Sequence, residues 1–88
     1  MTEPYRYARL EGGMRRYLLY AELRSALYCA LVDLAQHRAT PLGIRQGRRI
    51  LYRHSDLVAL ATAHQGLLAA PDHWPLIQAL AEVARLAS

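Results

Sequence analysis

Residues 21–37 contain neither glycine nor proline, and within them Leu23, Leu27, Ala30, Leu31 and Leu34 recur at steps of three and four. That period places them on one face of an amphipathic helix of about four to five turns. An apolar stripe of this length has to be covered, so the segment predicts a core helix around which everything else must pack. With 88 residues in the chain, there is room for one domain with one modest core.

Punctuation on either side shapes what can do the covering. Upstream, Tyr5, Tyr7 and Arg9 alternate with Arg6, Ala8 and Leu10, Glu11-Gly12-Gly13 supplies turn chemistry, and 16–20 fits a returning strand. A hairpin is the preferred reading; the alternative is an N-terminal arm running into a helix that starts near Met14, since 15–20 fits either period. Downstream, Thr40-Pro41-Leu42-Gly43 breaks the helical period. Residues 42–45 and 48–53 then flank Gln46-Gly47 as a second short hairpin. His54 or Ser55 can cap the next helix, with Asp56 in its first turn. That helix is expected to reach about Ala70, with Leu57, Leu60, Ala61, His64 and Leu68 on one stripe. Asp72 can cap a last helix over 73–86, with Pro75 in its first turn and Leu76, Leu80, Val83, Ala84 and Ala87 as its apolar face. The fold class is therefore small α+β, mainly α with one or two short β-hairpins. No linker divides the chain into more than one domain.

Charge is distributed unevenly. Ten of the eleven arginines lie in 1–53 against four acids, whereas 54–88 hold one arginine against three acids, and the whole chain carries +4. One end can thus meet a polyanion while the other stays a solvated scaffold. All positive side chains are arginine, which suits bidentate contact with phosphate or carboxylate, although coding bias explains the same choice. A 53% hydrophobic composition is more than so short a chain easily hides, and it implies a homodimer or a partner face. The longest charge-free stretch, 57–71, contains His64 and Gln65 and is too short to cross a bilayer. With a single cysteine, Cys29, and no signal-peptide pattern after Thr2-Glu3-Pro4, a cytoplasmic protein with no membrane partner is expected.

Residues 45–60, with Arg45-Gln46-Gly47-Arg48-Arg49, an apolar strand, and Ser55-Asp56-Leu57 opening a helix, resemble the wing and following helix of excisionase-like and MerR-like DNA-binding domains. Residues 17–23 resemble more weakly the approach to that family's first helix. The resemblance implies a winged-helix-like fold and DNA binding. It departs from the family where a helix-turn-helix is due, because 21–37 runs unbroken. What it leaves is a wing in which Arg45, Arg48, Arg49 and Arg53 lie along phosphates and Gly47 allows close approach; the plainer reading is a solvated hairpin edge guarded by charge.

A second constellation joins Tyr20, Arg24 and Tyr28, spaced at i, i+4 and i+8 on the core helix, with Trp74 as a further interface candidate. Tyr and Arg can equally cover the edge of a core. If the first hairpin forms, Tyr5, Tyr7 and Arg9 would extend the same surface. Catalysis is not expected. The chain has no HExxH, no CxxC and no histidine pair at i, i+4, and Ser25, Ser55 and Ser88 sit in no nucleophile-elbow pattern. His54 reads as a helix start, His64 as a satisfied core histidine and Cys29 as structural, so neither metal nor cofactor is called for. Two functions follow: a small DNA-associated regulator using the Arg-rich hairpin, or a non-enzymatic interaction module (inhibitor, assembly partner or chaperone) that binds an acidic or apolar partner protein through its helical apolar and Tyr/Arg surface.

Overall fold

The computed structural model describes residues 2–87, which leaves Met1 and Ser88 outside the described residues. Both hairpins form. Strands β1 (Tyr5–Glu11) and β2 (Met14–Tyr20) are joined by Gly12 and Gly13, whose φ values of 58° and 81° give the two left-handed positions that a tight two-residue hairpin loop needs. Helix α1 (Leu23–Ala35) follows, then β3 (Thr40–Gln46), β4 (Arg49–Arg53), α2 (His54–Ala63), α3 (Gln65–Ala69) and α4 (Trp74–Ala87). The four strands make one antiparallel sheet in the order β2-β1-β3-β4. The chain is thus small α+β, and the hairpin over 40–53 is half of a sheet that the first hairpin completes.

The helices pack on one side of this sheet. Leu23, Ala26, Leu27, Ala30 and Leu31 of α1 meet Tyr7 and Ile44 from the strands, Leu57 of α2, and Leu76 and Leu80 of α4, all buried. The cross-strand partners of Tyr7 and Ile44, which are Leu18 and Tyr52, share their side and pack against the same core. Tyr5, Tyr7 and Arg9 therefore belong to the covered face. They do not extend the surface of Tyr20, Arg24 and Tyr28, because α1 covers this side and its Asp33 takes up the Tyr7 hydroxyl and the Arg9 guanidinium.

Asp33 is fully buried on that face. Its Oδ2 accepts from the Tyr7 hydroxyl at 2.7 Å and from Arg9 Nη1 at 3.0 Å, while Oδ1 accepts from Arg38 Nη2 at 3.2 Å. Buried charge is tolerated only when paired and hydrogen-bonded, and here one carboxylate ties β1 to the end of α1. Burial alone would lower the Arg9 pKa, but the hydrogen bond and charge of Asp33 hold it above its ordinary value.

Several boundaries differ from the sequence expectation for identifiable reasons. The core helix stops at Ala35, short of 37, because His37 takes a left-handed φ of 53°. The His37 and Arg38 amides then donate to Leu34 O and Asp33 O, the Schellman pattern of terminal bonds. Residues 40–43 are strand, with the break confined to 36–39. Gly43 has no need of left-handed geometry. It sits between register shifts in β1/β3 and β3/β4, and an added Cβ would come within 2.9 Å of Tyr52 O. Neither His54 nor Ser55 is the cap of α2; that position is Arg53, whose amide donates to Asp56 Oδ2 at 2.9 Å. His54 instead turns Nδ1 to Pro41 O at 2.6 Å. The helix expected to reach Ala70 divides at His64, whose φ of −116° leaves the helical range while its ring bonds back to Leu60 O. Asp72 does receive the Trp74 amide, at 3.0 Å, and α4 buries Leu76 and Leu80 as its period required.

Candidate nucleic-acid interface

The side of the sheet away from the helices carries Arg6, Arg15, Arg45 and Arg53, four of the arginines that make no ion pair among the described residues. Antiparallel partners share a face, so the register orders this surface into cross-strand rows. One row runs Leu19, Arg6, Arg45, Ile50 from β2 to β4; the next runs Tyr17, Ala8, Gly43, Arg53; at the hairpin end Arg15 stands beside Leu10. None of these residues is acidic. Leu19 is 66% exposed, Tyr17 51% and Ile50 42%. A trough of about 350 Å³ lies across the middle, with Arg6, Arg15, Tyr17, Arg45 and Arg53 among its walls.

Local sequence explains the shape of this trough. Ala8 and Gly43 are the two smallest side chains on the face and lie side by side on the central strands, so the floor is low between Tyr17 and Arg53. Arg6 lies 5.1 Å from the centroid of the Tyr17 ring, a cation–π contact that holds the ring at the margin. Arg6 and Arg45 are direct cross-strand partners, an arrangement of like charges that disfavours folding. Among the described residues, Arg6, Arg15, Arg45, Arg48, Arg49 and Arg53 make no ion pair, whereas Arg9, Arg16, Arg24, Arg38 and Arg85 do.

The hairpin arginines expected to act together are divided by the sheet. Arg45 and Arg53 stand on the open face; Arg48 is in the turn; Arg49 pairs with Gln46 in the register of the other side. Gly47 has the φ of 59° that favours glycine, and a Cβ there would run into the Glu3 carboxylate, so an acid already lies against the turn. Arg6, Arg15 and Tyr17 were missed as members of this site. Their signal was present in the alternation of 5–10 and 15–20, but which parity faced outward was not.

The second constellation also comes together, by a different route from the one expected. Tyr20 is the last residue of β2 and no part of the helix, yet it lines one groove of about 550 Å³ with Arg24 and Tyr28 of α1 and Trp74 and Ile77 of α4. Trp74 is 60% exposed, so its indole forms a rim and does not anchor the core. The Tyr28 hydroxyl donates to His73 Nδ1 at 2.8 Å, and His73 Nε2 donates to Leu68 O at 3.1 Å, which fixes the ring against α1. Burial, followed by a hydrogen bond with Cys29, pushes the Tyr20 hydroxyl up to about 12. Arg24 is held by Glu22 at 2.7 Å.

Among the described residues no group of three His, Cys, Asp or Glu side chains is placed to hold a metal ion, and no helix is long and apolar enough to cross a membrane. Comparison with protein-family models, with curated proteins and with solved structures found no match.

Proposed function

We propose that this protein is a small nucleic-acid-associated regulator that binds the phosphate backbone through the open face of its sheet. The observation that carries the reading is the opposed pair Arg6 and Arg45, flanked by Arg15 and Arg53, on a surface with no carboxylate. Guanidinium groups fork onto phosphate oxygens bidentately, and a polyanion relieves the repulsion that the bare face carries. Arg48 and Arg49 at the hairpin tip extend the positive field beyond the trough. This role belongs in the cytoplasm, where a lone thiol such as Cys29 stays reduced.

The test is fluorescence anisotropy with labelled mixed-sequence DNA, single-stranded and duplex, at low and physiological salt. Four phosphate contacts predict a slope of log affinity on log salt of roughly −3 to −4. Arg45→Ala with Arg53→Ala should lower both affinity and slope by more than Arg48→Ala with Arg49→Ala. Absence of binding to either DNA at low salt would discard the reading.

A second reading rests on the groove that gathers Tyr20, Arg24, Tyr28 and Trp74. Exposed aromatic and arginine side chains of this kind are the usual anchors of protein interfaces, and an acidic partner protein or a second copy of this chain would fill it. Binding there should tolerate salt and weaken on Trp74→Ala, which leaves the DNA measurement untouched. Sedimentation of the wild type and of this variant distinguishes a second copy from a separate partner.

A further inference from the structure

Resting on that reading of the open face, we infer that its ligand is a single strand, DNA or RNA, whose unstacked bases enter the trough. The inference starts from width. Four strands spaced about 4.8 Å apart put the outer two about 14 Å from each other, wider than a B-DNA major groove of about 12 Å. The helices lie on the opposite side of a slab measuring 33 × 32 × 19 Å. Against an undistorted B-form duplex this face meets the phosphates and leaves the trough unfilled.

The trough itself is made for flat groups. Tyr17 at one end and Arg53 at the other are planar stackers, and the positions between them, Ala8 and Gly43, have nothing to hold a base off the sheet. Arg6 engages the Tyr17 ring at 5.1 Å while half of the residue's surface stays in water, so the ring is oriented before any ligand arrives. Leu19 and Ile50 close the neighbouring row with apolar surface that a solvated phosphate cannot use but a base can. Stacking on aromatic and guanidinium planes, with arginines tracking the backbone, is how sequence-tolerant single-strand binding works. The 2′-hydroxyl, together with the thymine methyl group, separates the two sources.

A competition experiment with the full chain decides it, using a labelled mixed-sequence DNA strand displaced by unlabelled DNA strand, matching RNA strand, or duplex DNA at low salt. The expected result is that one or both single strands compete better than the duplex. Tyr17→Ala should weaken single-strand binding roughly 5- to 150-fold and duplex binding by much less, through the released Arg6 alone, with Tyr17→Phe close to wild type. Circular dichroism checks that the variants fold, and Tyr17→Trp provides an independent readout through quenching of its emission by the strand. A duplex that competes as well as either strand, or a Tyr17→Ala variant that weakens both forms equally, overturns the inference while phosphate binding stands. No binding of any nucleic acid removes both.

Discussion

The two faces of the sheet solve the same problem in opposite ways. Each places arginines directly across from one another on neighbouring strands: Arg9 faces Arg16 on the helix-covered side, and Arg6 faces Arg45 on the open side. On the covered side acids intervene. Glu11 bridges Arg9 at 2.9 Å and Arg16 at 3.1 Å, and Asp33 takes the other end of Arg9. On the open side nothing does, and Arg6 turns to a tyrosine ring. Low dielectric explains the pairing of Arg9 with Asp33, because a buried guanidinium without a partner is too unfavourable to keep; Arg16 and Glu11 pair in water. On the open side, water makes the unpaired arginines tolerable. The difference teaches that the paired charge beneath α1 is structural, whereas the charge on the open face is available to something outside the molecule.

The sharpest way to break this contrast is Asp33→Ala. It leaves the buried end of Arg9 without its partner and should cost about 3–5 kcal/mol, read as a fall in the urea midpoint; a loss below about 1 kcal/mol would mean that Asp33 is no clamp. Leu27→Ala, in the centre of the same face, should cost about 2–5 kcal/mol by opening a cavity, and it calibrates how much of the covered face depends on packing as against charge.

Alkaline titration sharpens the comparison further. Burial first, and then the hydrogen bond and charge of Asp33, raise the Tyr7 hydroxyl far above its ordinary value of 10.0, and Tyr20 is raised to about 12. Both are neutral in the fold, and the unfolded chain ionises near 10, so above that pH the native state holds more protons than the unfolded one. Stability is fully present below about pH 10 and falls as pH rises, through about 12 for Tyr20 and beyond it for Tyr7. Unfolding midpoints from neutral pH upward should be flat and then decline, and Tyr7→Phe should shrink the decline. The smallest effect is expected on the open face. Arg45→Ala should change stability by no more than about 0.5 kcal/mol, and in the stabilising direction because Arg6 loses an opposed like charge, while nucleic-acid affinity falls. A variant that is both less stable and unimpaired in binding would reverse the assignment of the two faces.

Periodicity explains why some of this could be read from residues alone. The stripe of Leu23, Leu27, Ala30, Leu31 and Leu34 needs burial whatever surrounds it, and the first four are buried while Leu34, at the helix end, is half-buried. Gly12-Gly13 needs a tight turn wherever it lies. Asp33 was unreadable because a charged residue inside a helix is taken for a solvated one unless its partners are known, and Tyr7 is 26 residues away. The end of α1 was hidden by His37, a residue that carries no preference for the left-handed position strong enough to see. The arginines of 45–53 were visible as a cluster but not as a face, since alternation fixes which side chains point together and not which side the helices will cover.

By itself, then, the sequence determined the core helix, the turn at Gln46-Gly47, the last helix and the excess of arginine in the first 53 residues, and it left the first hairpin open against an arm running into a helix. These follow from local sterics and from the burial that apolar periods demand. Only the tertiary structure decided that the two hairpins join edge to edge through β1 and β3, and with that pairing it set which arginines are neutralised against α1 and which remain in water. Strand order and facing depend on contacts between residues far apart in the chain, where local preference has nothing to say.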